Sequence, residues 1–277
     1  MKKKGGKVKT VYGVNNQKFY IRPNNKTDAA YETLKLAGQV DSFEDREKLF
    51  SSNRAVLMKL IRGSCKSISK TCPGLFRDSG HIKEHFYYLT EVNIHKKVLK
   101  NLAGHLENME VYLVSMNDSL ELSEKIGKIN DDCTLEFSGC KVHKYIQLLR
   151  MAGEHFDKEG AALMRIQSDG PPKNSSPHIF AVRVGAHYHF ELWVEKERLL
   201  ENMELEESIS AFLHLVFCYN LTYPKEAETI CDWLQRVVAE YGNDEGTKTN
   251  KSKVTAQSKL TRYHIQLGKA LGAKNLK

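Results

Sequence analysis

One stretch limits what this chain can become. Residues 178–241 read HIFAVRVGAHYHFELWVEKERLLENMELEESISAFLHLVFCYNLTYPKEAETICDWLQRVVAEY, the densest apolar and aromatic run in the protein. Within it, Ala211, Phe212, Leu213, Leu215, Val216, Phe217 and Cys218 leave residues 205–219 almost no polar face. A helix that is apolar all round must be enclosed by protein. It is too short to cross a bilayer, which takes about twenty apolar residues. The next segment is amphipathic. Ala227, Ile230, Cys231, Leu234, Val237, Val238 and Tyr241 recur at three- and four-residue steps, which predicts one helix. Pro224 is expected at its first position and Gly242 at its end. Ahead of both helices, residues 179–184 and 190–194 are β-branched and aromatic, with a break at Gly185. A two-stranded ribbon is unstable alone, so it is expected to lie on the buried helix.

Upstream, the periodicity is helical. Ser42, Glu44 and Asp45 open a helix expected to run to Leu60 or Ile61, and Cys72-Pro73-Gly74 is a breaker. Asp78 or Ser79 caps a short helix through Leu89. Ile94, Val98, Leu99, Leu102, Leu106, Met109 and Val111 form the stripe of a longer one ending near Ser115. Residues 27–40 and 119–129 are weaker helical candidates, and residues 141–156 a stronger one. Pro, Gly, Ser and Asn cluster in QSDGPPKNSSP, residues 167–177, which reads as a linker. The expectation is a predominantly helical α+β protein. A helical part, 27–166, is joined through 167–177 to a small C-terminal β-hairpin with two packed helices, 178–242. Flexible basic tails, 1–26 and 243–277, flank them.

Charge is distributed unevenly. The chain of 277 residues has 42 Lys and Arg, 34 Asp and Glu, and a net charge of +8. Residues 1–26 and 248–277 together hold sixteen of the basic residues and no acid, so the middle, 27–247, is net −8. Basic ends suit a polyanion, because each neutralised phosphate releases counterions. The nucleic-acid candidates are Lys2, Lys3, Lys4, Lys7, Lys9, Lys251, Lys253, Lys259 and Arg262. An acidic protein is the other partner such ends would attract. Leu260, Tyr263, Leu267 and Leu271 fall at helical spacing among those bases. The tail therefore reads either as disordered or as an amphipathic helix that orders on an acidic surface.

Catalytic signatures are missing. There is no phosphate loop, dinucleotide glycine pattern or nucleophile elbow, so no enzyme activity and no cofactor are expected. His187 and His189 share a strand face, and His178 lies across the expected hairpin. These three form the metal candidate, and with it a cryptic metal-dependent enzyme as the alternative function. Cys133, Cys140 and His143, and Cys72, His81 and His85, are weaker clusters. His214 lies four residues before Cys218 in the most buried helix and reads as a hydrogen-bonded core histidine. The MKKKGGKVKT start lacks the apolar run of a signal peptide. The expected location is intracellular, nuclear or cytoplasmic and not secreted, with reduced thiols.

Residues 203–236 carry a family resemblance. Tyr219-Asn220-Leu221-Thr222-Tyr223-Pro224 forms an aromatic-Asn-hydrophobic-x-Tyr-Pro turn, and Leu234-Gln235 sits in the helix that follows, with Trp233 beside it. Ser176-Pro177-His178-Ile179, Arg54, Pro73-Gly74-Leu75-Phe76 and Ile82-Lys83-Glu84-His85-Phe86 occur upstream in matching order. The chain so resembles the uncharacterised, transposon-associated sterile alpha motif domain-containing protein 3-like family over about 45–240. It has no sterile alpha motif module at its start. The resemblance assigns Tyr219, Asn220, Tyr223, Pro224, Trp233 and Leu234 structural roles and implies provenance, not an activity. The leading functional reading is a non-catalytic interaction protein with basic termini. An assembly module without a ligand is the third.

Overall fold

A computed structural model describes residues 10–12, 18–20, 42–52, 69–70, 73–116, 124, 127–128, 139–159, 161–169, 175–219, 221–242 and 253–274. Its helices are α1 (Phe43–Ser52), α2 (Ser79–Thr90), α3 (Ile94–Ser115), α4 (Cys140–Asp157), α5 (Leu205–Cys218), α6 (Glu228–Trp233) and α7 (Lys253–Lys274). Among the described residues, strands β1 (Thr10–Tyr12) and β2 (Lys18–Tyr20) pair with each other and with no other strand. Strands β3 (Met164–Ile166), β4 (His178–Val184), β5 (His187–Val194) and β6 (Glu197–Met203) form one sheet in that order.

The sheet corrects the expected fold. The C-terminal β element is not a two-strand hairpin but half of a four-stranded mixed sheet. β3 runs parallel to β4, and the other neighbours are antiparallel. Both added strands lie at edges, where sequence signals are weak. β3 has three residues, and in β6 only Leu200 and Met203 are buried. The sheet and the buried core also take residues from both sides of 167–177.

α5 is the centre. Twelve of its fourteen residues are buried, as its composition requires. Its start is set by a capping box: the Glu204 N–H donates to Glu207 Oε2 at 3.4 Å. Glu206 and Glu207 in its first turn favour the positive end of the helix dipole. α2 and α3 pack on it, as do β4 and β5. The Phe86 ring of α2 lies 4.8 Å from the His214 ring of α5. Asp78 caps α2 through His81 N–H at 3.0 Å, and Asn93 caps α3 through Lys96 N–H at 2.9 Å.

Two further expectations change. The helix expected over 224–241 is three pieces: a 3-10 turn at Lys225–Ala227, α6, and a π-helical turn at Leu234–Val238. The α-helical start shifts to Glu228 because the Asp157 carboxylate, at the end of α4, caps the Thr229 and Ile230 amides at 2.8 and 3.2 Å. The tail expected to be flexible over 243–277 contains the 22-residue α7. Leu260, Tyr263 and Leu267 are buried against the rest of the protein, which supplies the tertiary packing from which most helical stability comes. Cys140 is disulfide-bonded, against the expectation of reduced thiols, whereas Cys218 and Cys231 are buried and in no disulfide. The expected helix over 27–40, the part beyond Ser52 of the one expected to run to Leu60 or Ile61, and most of that over 119–129 lie outside the described residues. Among the described residues, no helix is long and apolar enough to cross a membrane.

Candidate nucleic-acid interface

α7 carries Lys253, Lys259, Arg262, Lys269 and Lys274 and no acid. Packing divides those charges. Leu260, Tyr263 and Leu267 fall at steps of three and four, so they form one inner stripe. The Tyr263 ring meets Tyr112 of α3 at 4.8 Å, Phe156 of α4 at 6.2 Å and Trp233 of α6 at 6.4 Å. Burial pushes its hydroxyl pKa up to about 12, so this anchor stays neutral.

Lys259 turns inward. Its Nζ donates to the Phe156 carbonyl and lies 3.6 Å from Asp157 Oδ1. The Asp157 side chain is fully buried and also accepts from the Thr229 hydroxyl at 2.6 Å. One carboxylate therefore ties α4, α6 and α7 together. Lys259, a nucleic-acid candidate by sequence, is part of this joint. The sequence did not single out Asp157, because an acid at a helix C-terminus is unfavourable locally and its reason is tertiary.

The opposite face of α7 is open. Arg262, Ile265 and Lys269 are exposed and follow the i, i+3, i+7 spacing of one stripe. Lys253 lies in the first turn of the helix. Lys2, Lys3, Lys4, Lys7, Lys9 and Lys251 lie outside the described residues. Of the sequence candidates whose side chains are described, Arg262 alone faces solvent, and Lys269 joins it on the same stripe.

The metal candidate comes apart. Register places His178 opposite Trp193, His189 opposite Val182 and His187 opposite Val184. His178 and His187 thus sit at opposite ends of the β4–β5 ladder, about 20 Å apart at the usual rise per residue. His178 is buried beside the Ser176 carbonyl at 3.2 Å, and burial lowers its pKa. His187 is exposed and His189 half-buried. Among the described residues no group of three or more His, Cys, Asp or Glu is arranged to hold a metal. His143 instead hydrogen-bonds with the Tyr188 hydroxyl at 2.7 Å and stacks on its ring.

The family-like turn is a core joint. Tyr219, Tyr223, Pro224, Trp233 and Leu234 are all buried, and Asn220 lies outside the described residues. The Tyr223 hydroxyl donates to Gln235 Oε1 at 2.9 Å, and Gln235 Nε2 donates to the Tyr241 carbonyl at 3.1 Å. His214 departs from its expected hydrogen bond: among the described residues neither ring nitrogen has a partner.

No family model matches the chain, and no curated protein or solved structure shows significant similarity to it.

Proposed function

We propose that this is a non-catalytic interaction protein that meets the phosphates of nucleic acid with the outer face of α7. The observation that carries this reading is a 22-residue helix with five cations and no acid, held on the body by Leu260, Tyr263 and Leu267 so that Arg262 and Lys269 point outward. A helix already folded loses less conformational entropy on binding than a disordered tail. Phosphate contact needs no base-reading group, which suits a stripe of Arg262 and Lys269 around Ile265. The provenance implied by residues 203–236, a member of the sterile alpha motif domain-containing protein 3-like family, belongs to the same proposal and rests on those residues alone.

The test is a salt titration of duplex DNA and single-stranded RNA binding by the full chain. The double variant Arg262→Glu, Lys269→Glu should weaken binding and reduce the log–log salt slope by about two. No binding by the parent chain, or an unchanged slope in the variant, overturns the reading. Arg262 and Lys269 are exposed, so loss of fold, checked by circular dichroism, is not expected.

A further inference from the structure

Four of the chain's eleven histidines gather where α2 meets α5 and α3. His81 and His85 lie on α2, His95 on α3 and His214 on α5. They differ in what holds them. His81 pairs with the Asp78 carboxylate at 2.8 Å, and His95 with the Ser210 hydroxyl at 2.9 Å. His214 is 1% exposed, and among the described residues neither of its ring nitrogens has a hydrogen-bond partner. Its ring lies against Phe86 of α2 at 4.8 Å. His85, equally buried, is edge-on to Tyr219 at 5.9 Å. Both rings therefore face the α2–α5 seam, one from each helix. An opening that parts these two helices lets water reach both. An opening confined to α4 or α7 leaves them enclosed.

The charged surroundings do not favour a proton on His214. Lys83 of α2 and His95 of α3 both oppose a second positive charge there. α2 carries one further acid, Glu84. Glu206 and Glu207 of α5 act on His95, and Asp78 on His81. Tyr219, Tyr241 and Cys218 complete the seam and are of types that carry no charge in mild acid. α2 is also placed to move by itself. It packs chiefly on α5 and on the short elements before it, the 3-10 turn Pro73–Phe76 and α1. α5 keeps α3, β4 and β5 as its other neighbours. α2 ends at Glu91, which makes a left-handed turn at φ +59 three residues before α3 begins. Its hold on α5 is mostly apolar. Ile82 and Phe86 are fully buried, and Phe86 also meets Phe217 at 6.2 Å and Tyr241 at 5.4 Å. At its start the Ser79 hydroxyl donates to Glu207 Oε1.

We propose that α2 is a flap that mild acid lifts from α5 while α3, α4 and α7 stay folded. An imidazole in water takes up a proton near pH 6.5. Burial holds His85 down to about 4 and, with His95 and Lys83, His214 down to about 3. The closed flap therefore binds fewer protons than the open one over that interval. Closure is complete above about pH 6.5 and weakens as the pH falls towards the two lower values. Between pH 7 and pH 5 each ring should raise the opening constant about twentyfold. The surface uncovered is apolar: Ile82 and Phe86 on the flap, and Phe217 on α5.

The experiment is amide hydrogen exchange of the full chain at pH 7, 6 and 5, expressed as protection factors so that the intrinsic pH dependence of exchange drops out. Protection across residues 82–90 should fall about a hundredfold or more from pH 7 to pH 5. At pH 5 it should lie about tenfold or more below that of residues 98–113 and 145–156, which marks an opening smaller than the whole fold. His214→Leu removes one of the two rings and should shrink the fall about twentyfold. Protection of 82–90 that does not change with pH overturns the proposal. So does protection of 82–90 that equals that of α3 and α4 at every pH, because the protein would then open only as a whole. The parent chain alone decides both outcomes, whether or not His214→Leu folds.

Discussion

Two buried regions of this molecule treat polar groups in opposite ways. At the joint of α4, α6 and α7, the Asp157 carboxylate is fully enclosed but answered on every side: two amides, one hydroxyl and the Lys259 ammonium converge on it. Between α2 and α5, the imidazoles of His85 and His214 are enclosed among aromatic rings instead. His85 lies edge-on to Tyr219 and His214 against Phe86. Burial pulls their pKa values down to about 4 and about 3. His95 and Lys83 lie close enough to His214 to oppose its protonation further. The first region buys its burial with partners; the second tolerates it only while the rings are neutral. A buried charge that is matched ties elements together, and a buried imidazole whose charged form is disfavoured by desolvation makes the fold depend on pH.

The largest expected effect is therefore acid sensitivity. In the unfolded chain both histidines take up a proton near pH 6.5, whereas in the folded chain they resist until about pH 4 and about pH 3. The unfolded state binds more protons over that interval, so stability is complete above about pH 6.5 and falls as the pH drops towards those folded values. Between pH 7 and pH 5 the two groups together should remove about 3–4 kcal/mol, read from urea midpoints at each pH. Replacing His214 with Leu should flatten the curve and raise stability at pH 5 more than at pH 7. A parent chain equally stable at pH 7 and pH 5 would erase the contrast between the two regions.

Next comes the matched joint. Asp157→Ala removes the cap of α6 and strands Lys259, and should cost about 3 kcal/mol. It should also loosen α7, seen as faster hydrogen exchange across residues 260–267. A loss below about 1 kcal/mol would mean that Asp157 is replaceable by water and that the joint is no tighter than the histidine layer. The smallest effect belongs to the end of the π-helical turn. Gly242 has φ +68, and a Cβ there would lie 2.9 Å from Gln235 Nε2. Gly242→Ala should cost about 1–2 kcal/mol, measured by the same denaturation. A urea midpoint equal to the parent's would show that the Gln235 side chain yields easily.

Much of the helical framework was legible from residue spacing. The stripe from Ile94 predicts α3 to an end near Ser115, Asp78 is one of the two caps offered with Ser79, and residues 205–219 are as enclosed as their composition demands. The sheet was less legible. β4 and β5 announce themselves through β-branched and aromatic residues, but β3 and β6 are edge strands with few buried side chains, so their periodicity is faint. The histidine cluster failed because strand residues two apart share a face but say nothing of register. Register put His178 beside Trp193 instead. Lys259 illustrates the same limit for charge. A lysine in a basic tail reads as a surface cation until a buried carboxylate is found opposite it.

Local order, then, was written in the spacing of apolar residues and in the caps, because helix periodicity and capping act within a few residues of the chain. So was the charge asymmetry, which is a property of composition alone. Which cations stay outside, which carboxylate bridges three helices and which imidazoles lose their water are different matters. Each depends on groups far apart in the chain meeting in a low-dielectric interior, and only the folded arrangement decided them.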